Sequence, residues 1–310
     1  MFDYIFGPVL SSRLGNSLGM DLLGKNICSF DCLYCESGKT EIKTVERAPY
    51  VSLENIMDEL KKWFAEGTSP DYITLGGPGE PCLNSNLGEI ISAVKEFRPG
   101  IPLAVLTNSS LLSHGDVSQE LLKADVILPS LDTMVEKEFI RLNRPHPDIR
   151  LEDMVQGLQN FKSRFKGLVF LEVLLVPGIN DSRENFELLR DFQTRLKPDR
   201  VDITAMSRPG AYIDRPGSGA MTLDKWRREF RTSPHSLSVP GHKTEMSGKL
   251  LRERIAASIK RRPQTPEQLA AALGADAGAA ASLLRRMHED GEVEVTAENE
   301  KGQKFYIKRG

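Results

Sequence analysis

Six short apolar runs recur through the first three quarters of the chain, and helical segments separate most of them. They are candidate strands at residues 18–23, 72–75, 103–106, 126–131, 169–176 and 201–206. Several lack the alternation of a strand with one solvated face, which is typical of buried parallel strands. Between the first two, Ser52 is a plausible N-cap for an amphipathic helix. Repeated strand–helix units predict an α/β protein with a parallel sheet, either an open doubly wound sheet or a partial barrel.

Three cysteines, Cys28, Cys32 and Cys35, follow the first candidate strand at the spacing CxxxCxxC. Thiolates at this spacing can hold three irons of a four-iron cluster and leave the fourth iron without a protein ligand. By analogy with catalytic zinc sites, an open metal position indicates chemistry rather than scaffolding. The only other cysteine is Cys82, so the composition favours a metal site in a reducing compartment over a disulfide framework.

The start of the chain has no basic segment followed by a long apolar run, so we expect neither a signal peptide nor a membrane anchor, and we expect a cytoplasmic location. The formal net charge of -2 argues against a whole-protein nucleic-acid clamp. Residues 249–310 are mildly basic, with 12 basic and 9 acidic side chains. This asymmetry is too small to indicate a partner.

A glycine-rich segment, Gly76-Gly77-Pro78-Gly79-Glu80, follows the second candidate strand. Its glycines allow a close approach of the backbone to a ligand, and Glu80 offers a hydrogen-bond acceptor for an ammonium group. Taken alone, the segment is more typical of a simple turn than of a binding site.

Polar side chains also stand at the ends of later candidate strands. Asn108 follows the third strand, and Ser130 and Asp132 follow the fourth; they are candidates for hydrogen bonds to a ribose or a carboxylate, or for helix capping. Glu172 lies inside an apolar run, where an unpaired carboxylate would be costly. It is therefore expected to face a polar barrel interior, a bound ligand or a basic partner, and a structural ion pair is an alternative to a ligand contact.

The cysteine triplet and the segment ending in Glu80 resemble motifs of the radical S-adenosylmethionine (SAM) superfamily. Further segments, at residues 7–15, 143–145, 176–181 and 208–210, resemble the family within it that is related to wybutosine-synthesis enzymes. The resemblance implies a partial (β/α)6 TIM-like barrel with the cluster loop after the first strand and the site at the carboxyl ends of the strands. Tyr34, between two cluster ligands, is the type of aromatic that the superfamily places against adenine, and packing is the alternative.

The same resemblance implies two cofactors: one 4Fe-4S cluster with three cysteine ligands, and SAM. It implies an enzyme that reductively cleaves SAM and makes a deoxyadenosyl radical, which abstracts hydrogen from an unidentified substrate. An external one-electron donor of the flavodoxin or ferredoxin type would supply the electron. The wybutosine enzymes use a second cluster with its own cysteines, which this chain lacks, so we do not expect the wybutosine reaction.

Cys82 departs from the family, whose members commonly have Thr at this position. It is a candidate catalytic thiol near the radical, and the alternative is a buried small residue. Arg13, Arg144 and Arg208 are candidates to bind an anionic substrate, with ordinary salt bridges as the alternative.

The last sixty residues contain signals for three short helices and a hairpin, a pattern that resembles a winged helix. We therefore expect a barrel at residues 1–232, a linker at 233–248 and a winged-helix-like domain at 249–310. Nucleic-acid binding is less favoured than protein or peptide recognition, because the basic surface is weak. Two alternative functions remain, an iron-sulfur sensor or transcription regulator that acts through this domain, and an electron-transfer protein.

Overall fold

The computed structural model describes residues 2–11, 13–67, 69–213, 220–232, 247–298 and 302–309. Most of the expected linker, residues 233–246, lies outside these ranges. No described helix combines the length and the apolar character needed to cross a membrane.

One seven-stranded sheet, with the strand order β1-β2-β5-β6-β7-β8-β9, forms the centre of the fold. Strand β1 pairs with β2 antiparallel, and every other pairing in this sheet is parallel. The strands are β1 (Ile5–Ser11), β2 (Gly15–Met20), β5 (Tyr72–Leu75), β6 (Leu103–Thr107), β7 (Val126–Pro129), β8 (Leu168–Leu175) and β9 (Arg200–Ala205). All six candidate strands are confirmed, and β1 is an additional edge strand that the apolar pattern did not reveal.

Helices connect the parallel strands. They are α1 (Leu53–Ala65), α2 (Leu87–Phe97), α3 (Gly115–Leu121), α4 (Glu136–Asn143), α5 (Leu151–Arg164) and α6 (Arg183–Leu196), and α7 (Ala220–Glu229) follows the last strand. The side chain of Ser52 caps α1 by accepting a hydrogen bond of 3.2 Å from the amide of Asn55, as the sequence predicts. The helix buries Ile56, Leu60 and Trp63, which are spaced to share one face.

The two faces of the sheet have different environments. One face packs with the helices in the main hydrophobic core. Side chains of the other face form a separate small cluster that includes Leu14, Ala104, Val126, Leu128 and Phe170. This second face lines the inside of a curled sheet, and the fold is the partial (β/α) barrel that the sequence predicts.

The C-terminal region contains α8 (Gly248–Ile259), α9 (Pro266–Leu273), α10 (Ala277–Glu289) and the antiparallel strands β10 (Val293–Glu298) and β11 (Lys304–Lys308). Its apolar side chains form a core of their own. It also packs against the barrel, where Arg254 pairs with Glu66 at 2.5 Å and Arg261 donates a hydrogen bond to the carbonyl oxygen of Asp3. The described elements are the expected helices and hairpin, and the winged-helix assignment stays a prediction.

Candidate functional site

The cysteine loop is closed at both ends by backbone pairing and by one asparagine. Short strands β3 (Ile27–Cys28) and β4 (Ile42–Lys43) pair in parallel on either side of it. The side-chain amide of Asn26 donates to the carbonyl oxygens of three successive residues, 37–39, at 3.1 to 3.3 Å. Inside the loop, the amide of Cys35 donates to the carbonyl oxygen of Cys32 at 3.2 Å. The loop is therefore held in one conformation by the chain itself.

The three thiols of this loop lie near one another, and two of them receive hydrogen bonds from asparagines. Asn108 Nδ2 lies 3.4 Å from the sulfur of Cys28, and Asn143 Nδ2 lies 3.4 Å from the sulfur of Cys32. Burial raises the pKa of Cys28 to about 12. Burial, together with the negative charges of Cys28 and Cys35, raises the pKa of Cys32 well above its usual range. Three thiolates in this place repel one another unless a cation offsets their charge.

This donor set fits a four-iron cluster better than a single metal ion. Among the described residues, no group of three or more His, Cys, Asp or Glu side chains is arranged to hold one ion. In an iron-sulfur cluster each cysteine binds a different iron, so its ligands stay apart. Sulfur ligands with amide donors directed at them are the environment that such clusters require.

The glycine-rich segment lies directly against the start of the cysteine loop. The amide of Glu80 donates a hydrogen bond of 2.9 Å to the carbonyl oxygen of Ile27, and Gly79 forms a parallel bridge with the same residue. Gly79 has φ +90°, and a Cβ at this position would overlap the carbonyl oxygen of Ile27. Glycine is required here for both reasons.

Glu80 itself is 1% exposed and accepts three hydrogen bonds. The donors are the amide of Cys82 at 3.1 Å, the hydroxyl of Thr107 at 2.8 Å and the amide of Asn108 at 2.6 Å. Burial raises the pKa of Glu80, and these donors oppose the shift. The thiol of Cys82 is a fourth hydrogen-bond partner of this carboxylate, so its acceptor positions, about four in number, are engaged within the protein.

Four of the residues that the sequence singled out line one small pocket: Tyr34, Asn108, Ser130 and Asp132. The hydroxyl of Tyr34 donates a hydrogen bond to Asp132 Oδ2, and the amide of Leu174 donates to Asp132 Oδ1 at 2.9 Å. Burial raises the pKa of Asp132. The structure thus brings together side chains from the cysteine loop and from the ends of β6 and β7.

Asn143 also lines this pocket, and the sequence analysis did not place it at the site. It ends α4 and donates to Asp132 Oδ2 at 3.0 Å as well as to the sulfur of Cys32. The only available signal was its position in the segment 143–145, which shares the family resemblance. Its neighbour Arg144 lies 3.1 Å from Asp31 and over the ring of Tyr212, in a local ion pair.

Glu172 forms an ion pair with Arg13, which comes from the turn between β1 and β2. Its backbone forms a parallel bridge with Ser130, at the end of β7. Burial raises the pKa of Glu172, and the guanidinium of Arg13 opposes this shift. The sequence left open a polar barrel interior, a bound ligand or a basic partner for Glu172. The structure shows the basic partner, Arg13.

Cys82 is fully buried in the main core, and its sulfur lies 3.6 Å from the hydroxyl oxygen of Thr107. Burial raises the pKa of this thiol well above its usual range. A thiol with no exposed surface is typical of a packed residue, and this environment favours that alternative. Its catalytic role stays a prediction.

Comparison with known proteins gives one family and several relatives. The family model described as the Radical SAM superfamily matches residues 24–189. The GTPase Obg of Brachyspira hyodysenteriae is 33% identical over 293 residues, which cover 93% of this chain and 43% of that protein. A UPF0026 protein of Helicobacter pylori is 33% identical over 270 residues, covering 85% of this chain and 86% of that protein.

Among solved structures, a radical SAM methyltransferase from Sphaerobacter thermophilus has a similar fold. The TM-score is 0.51 at 16% sequence identity, and the match covers 69% of this chain and 63% of that one. At this identity the likeness shows the fold alone. This chain spans less than half of the Brachyspira protein and less than two thirds of the Sphaerobacter protein.

Proposed function

This chain belongs to the radical SAM superfamily and is an enzyme, and we propose that it reductively cleaves SAM at one 4Fe-4S cluster held by Cys28, Cys32 and Cys35. The observation that carries the proposal is the attachment of Glu80 to Ile27, next to Cys28. It joins the two motifs that the superfamily uses for the cluster and for SAM. An iron with no cysteine ligand would remain open for SAM, because the fourth cysteine, Cys82, is fully buried with its sulfur against the hydroxyl of Thr107.

When bound, the cluster and SAM supply the cleavage of a carbon–sulfur bond, and the resulting deoxyadenosyl radical abstracts hydrogen from the substrate. The protein positions the cluster and SAM. Asn108 and Asn143 donate to cysteine sulfurs, which stabilises the added charge of a reduced cluster. An external one-electron donor of the flavodoxin or ferredoxin type is the partner that this reaction needs.

We assign SAM binding to the residues at the strand ends. We take Glu80 as the acceptor for the amino group, and Gly76, Gly77 and Gly79 allow the ligand to approach the backbone. The remaining members of the set are Tyr34, Asn108, Ser130, Asp132 and Glu172. The support for this assignment is the shared pocket of four of them. Glu172 is a weaker member, because its carboxylate is engaged by Arg13.

The experiment that tests this function is anaerobic reconstitution with iron and sulfide, followed by reduction in the presence of SAM. We expect a brown protein with about four irons per chain, as the cluster type requires, and release of deoxyadenosine. The variant Cys28→Ala should lose the cluster, whereas the matched variant Cys82→Ala should keep it. A loaded protein that yields no deoxyadenosine, with spectra unchanged by SAM, would contradict the proposal and favour electron transfer.

The regulator alternative depends on the C-terminal region. Arg285 and Arg286 are exposed on α10, but the described surface of this helix carries no longer run of basic residues. Duplex DNA binding that rises steeply at low salt would favour this alternative, and absence of binding at low salt would remove it. The cytoplasmic location and the domain boundaries stay predictions.

A further inference from the structure

Three arginines from three separate loops gather beside the cysteine loop. Arg13 lies between β1 and β2, Arg208 follows β9, and Arg262 lies between α8 and α9. Glu36, the residue after Cys35, has its Oε2 atom 3.0 Å from Arg208 Nη1 and 3.7 Å from Arg262 Nη1. We call Arg13, Arg208 and Arg262 the arginine cluster.

Arg262 is the member of the cluster without a satisfactory partner. Its side chain is 25% exposed, and it donates no hydrogen bond to any described residue. The nearest carboxylate oxygen, on Glu36, already accepts a hydrogen bond from Arg208. Since a guanidinium has five N–H donors in a planar fork, most of its binding capacity is free.

The charges within the arginine cluster also indicate that Arg262 can bind a further anion. Burial and the charge of Arg208 lower the pKa of Arg262 to about 10, although Glu36 opposes the shift. Arg13 is engaged by Glu172, and Asp202 accepts from Arg200 at 2.9 and 2.7 Å. A partly buried cation that shares its one nearby carboxylate with a second arginine is costly, and an anionic ligand would offset that cost.

The neighbours of Arg262 hold it in place from the C-terminal region. Arg261 is 3% exposed and donates to the carbonyl oxygen of Ala257 at 2.8 Å. Arg208 Nε donates to Gln268 Oε1 at 3.3 Å, and Gln268 is part of the capping box that Thr265 starts at α9. The C-terminal region therefore brings Arg262 next to Glu36 of the cysteine loop, and this arginine is positioned before any ligand arrives.

We infer that the substrate carries an anionic group, a carboxylate or a phosphate, and that Arg262 binds this group beside the cysteine loop together with Arg208. The inference rests on the proposed function, because it takes the space next to Cys35 to be the substrate site. It assigns the C-terminal region a part in substrate binding. It also replaces Arg144, which the sequence grouped with Arg13 and Arg208, by a residue from a different part of the chain.

The test uses cluster-loaded protein and two probes, inorganic phosphate and acetate, titrated by calorimetry at constant ionic strength. We expect the wild type to bind one of them, and the preferred probe distinguishes a phosphate from a carboxylate. In Arg262→Gln the binding constant should fall at least about tenfold, as expected for loss of a charge-assisted pair. Arg262→Lys should keep part of the affinity. The matched control is Arg252→Gln, which removes an arginine of α8 that pairs with Glu292. This variant should bind the probe as tightly as the wild type.

SAM also carries a carboxylate, so its affinity is measured on the same variants. We expect the affinity for SAM to be the same in Arg262→Gln as in the wild type. A parallel loss of SAM affinity would overturn the inference, because the cluster would then hold SAM itself. Equal probe binding by the wild type and Arg262→Gln, or no binding by the wild type, would also overturn it. A wild type that binds the probes through Arg262 but never cleaves SAM would instead refute the proposed function and leave the anion site.

Discussion

The amide of Glu80 and the carbonyl oxygen of Ile27 are joined by a hydrogen bond of 2.9 Å. Ile27 precedes the first cysteine of the triplet, and Glu80 ends the glycine-rich segment, so one backbone contact unites the two motifs. The contact requires Gly79, whose positive φ and missing Cβ let the segment approach Ile27. Any displacement of the glycine-rich segment is therefore transmitted to the cysteine loop.

Replacement of Gly79 by Ala is expected to disrupt both motifs. The new Cβ would overlap the carbonyl oxygen of Ile27, and Ala would have to adopt φ near +90°. We expect the free energy of unfolding to fall by about 3 kcal/mol or more, from strain plus overlap. Urea unfolding measures the loss of stability, and iron content after reconstitution should fall as well.

Gly38→Ala is the matched control for this substitution. Gly38 lies inside the cysteine loop, three residues after Cys35, with φ +86°, but a Cβ there would have no heavy atom within 4 Å. Gly38→Ala should lower the free energy of unfolding only by the conformational strain of a positive φ, about 1–2 kcal/mol. The iron content should be unchanged. Equal losses in the two variants would show that the contact with Ile27 is not what matters.

The barrel could be predicted from the sequence because its parallel strands are buried on both faces. The run at 126–129 is apolar throughout, and the run at 72–75 has Thr74 as its one side chain of a polar type, itself buried. Strand β1 was missed because Pro8 and small or polar residues interrupt its apolar pattern. It pairs antiparallel with β2 and also contacts α8 and α9 of the C-terminal region, which are distant in sequence.

The candidate site was predictable only where residues are close in sequence or end a strand. Tyr34, Asn108, Ser130 and Asp132 satisfy this condition, because the carboxyl ends of parallel strands meet at one edge. Asn143 and Arg262 do not. Asn143 is the last residue of a helix, and Arg262 reaches the cysteine loop only because the C-terminal region packs on β1.

Asn143→Ala is expected to lower the reduction potential of the cluster. The substitution removes an amide donor from the sulfur of Cys32, and fewer donors to sulfur make the reduced state less favourable. We expect a shift on the order of tens of millivolts, measured by a redox titration followed by electron paramagnetic resonance.

Asn180→Ala is the control for Asn143→Ala. Asn180 is also buried, and it donates to the carbonyl oxygens of Asp132 and Leu174 rather than to sulfur. It should lower stability by about 1–3 kcal/mol and leave the potential unchanged. The same shift of potential in both variants would assign the effect to loosened packing.

Cys82→Ala is expected to leave catalysis intact. The thiol has no exposed surface and packs in the core near Thr107, so its removal leaves a small cavity. The free energy of unfolding should fall by about 1–2 kcal/mol. Deoxyadenosine release by reconstituted protein should match the wild type. A normal cluster without deoxyadenosine release would instead support a thiol that acts near the radical.

Arg13→Gln is expected to lower stability more at pH 8 than at pH 5. Burial raises the pKa of Glu172, and Arg13 opposes the shift, so removal of Arg13 moves this pKa further up. A carboxyl with a raised pKa in the folded state holds its proton more tightly there than in the unfolded chain. Stability is therefore lost as pH rises from the unfolded pKa, about 4.3, through the folded one.

We expect Arg13→Gln to lower the free energy of unfolding by about 2 kcal/mol at pH 8, less than for a fully buried pair because Arg13 is partly exposed. The loss at pH 5 should be smaller, since Glu172 is then more protonated. Urea unfolding at both values measures the difference. In the double variant Arg13→Gln with Glu172→Gln the pH dependence should vanish, and an equal loss of stability at pH 5 and pH 8 would refute the explanation.

Arg261→Met is expected to weaken the attachment of the C-terminal region to the barrel. Arg261 donates to the carbonyl oxygen of Asp3, and its Nε atom lies 3.6 Å from the buried carboxylate of Asp21. Met keeps most of the apolar volume but leaves Asp21 without its cationic partner, so we expect a loss of about 3 kcal/mol. The rate of amide hydrogen exchange should rise in β1 and α8, and the urea concentration at the unfolding midpoint should fall. Arg252→Met, with an exposed pair, should change stability by less than about 1 kcal/mol.

Because Arg262 is adjacent, Arg261→Met should also weaken phosphate or acetate binding, and unchanged binding would show that Arg262 is held by its own loop.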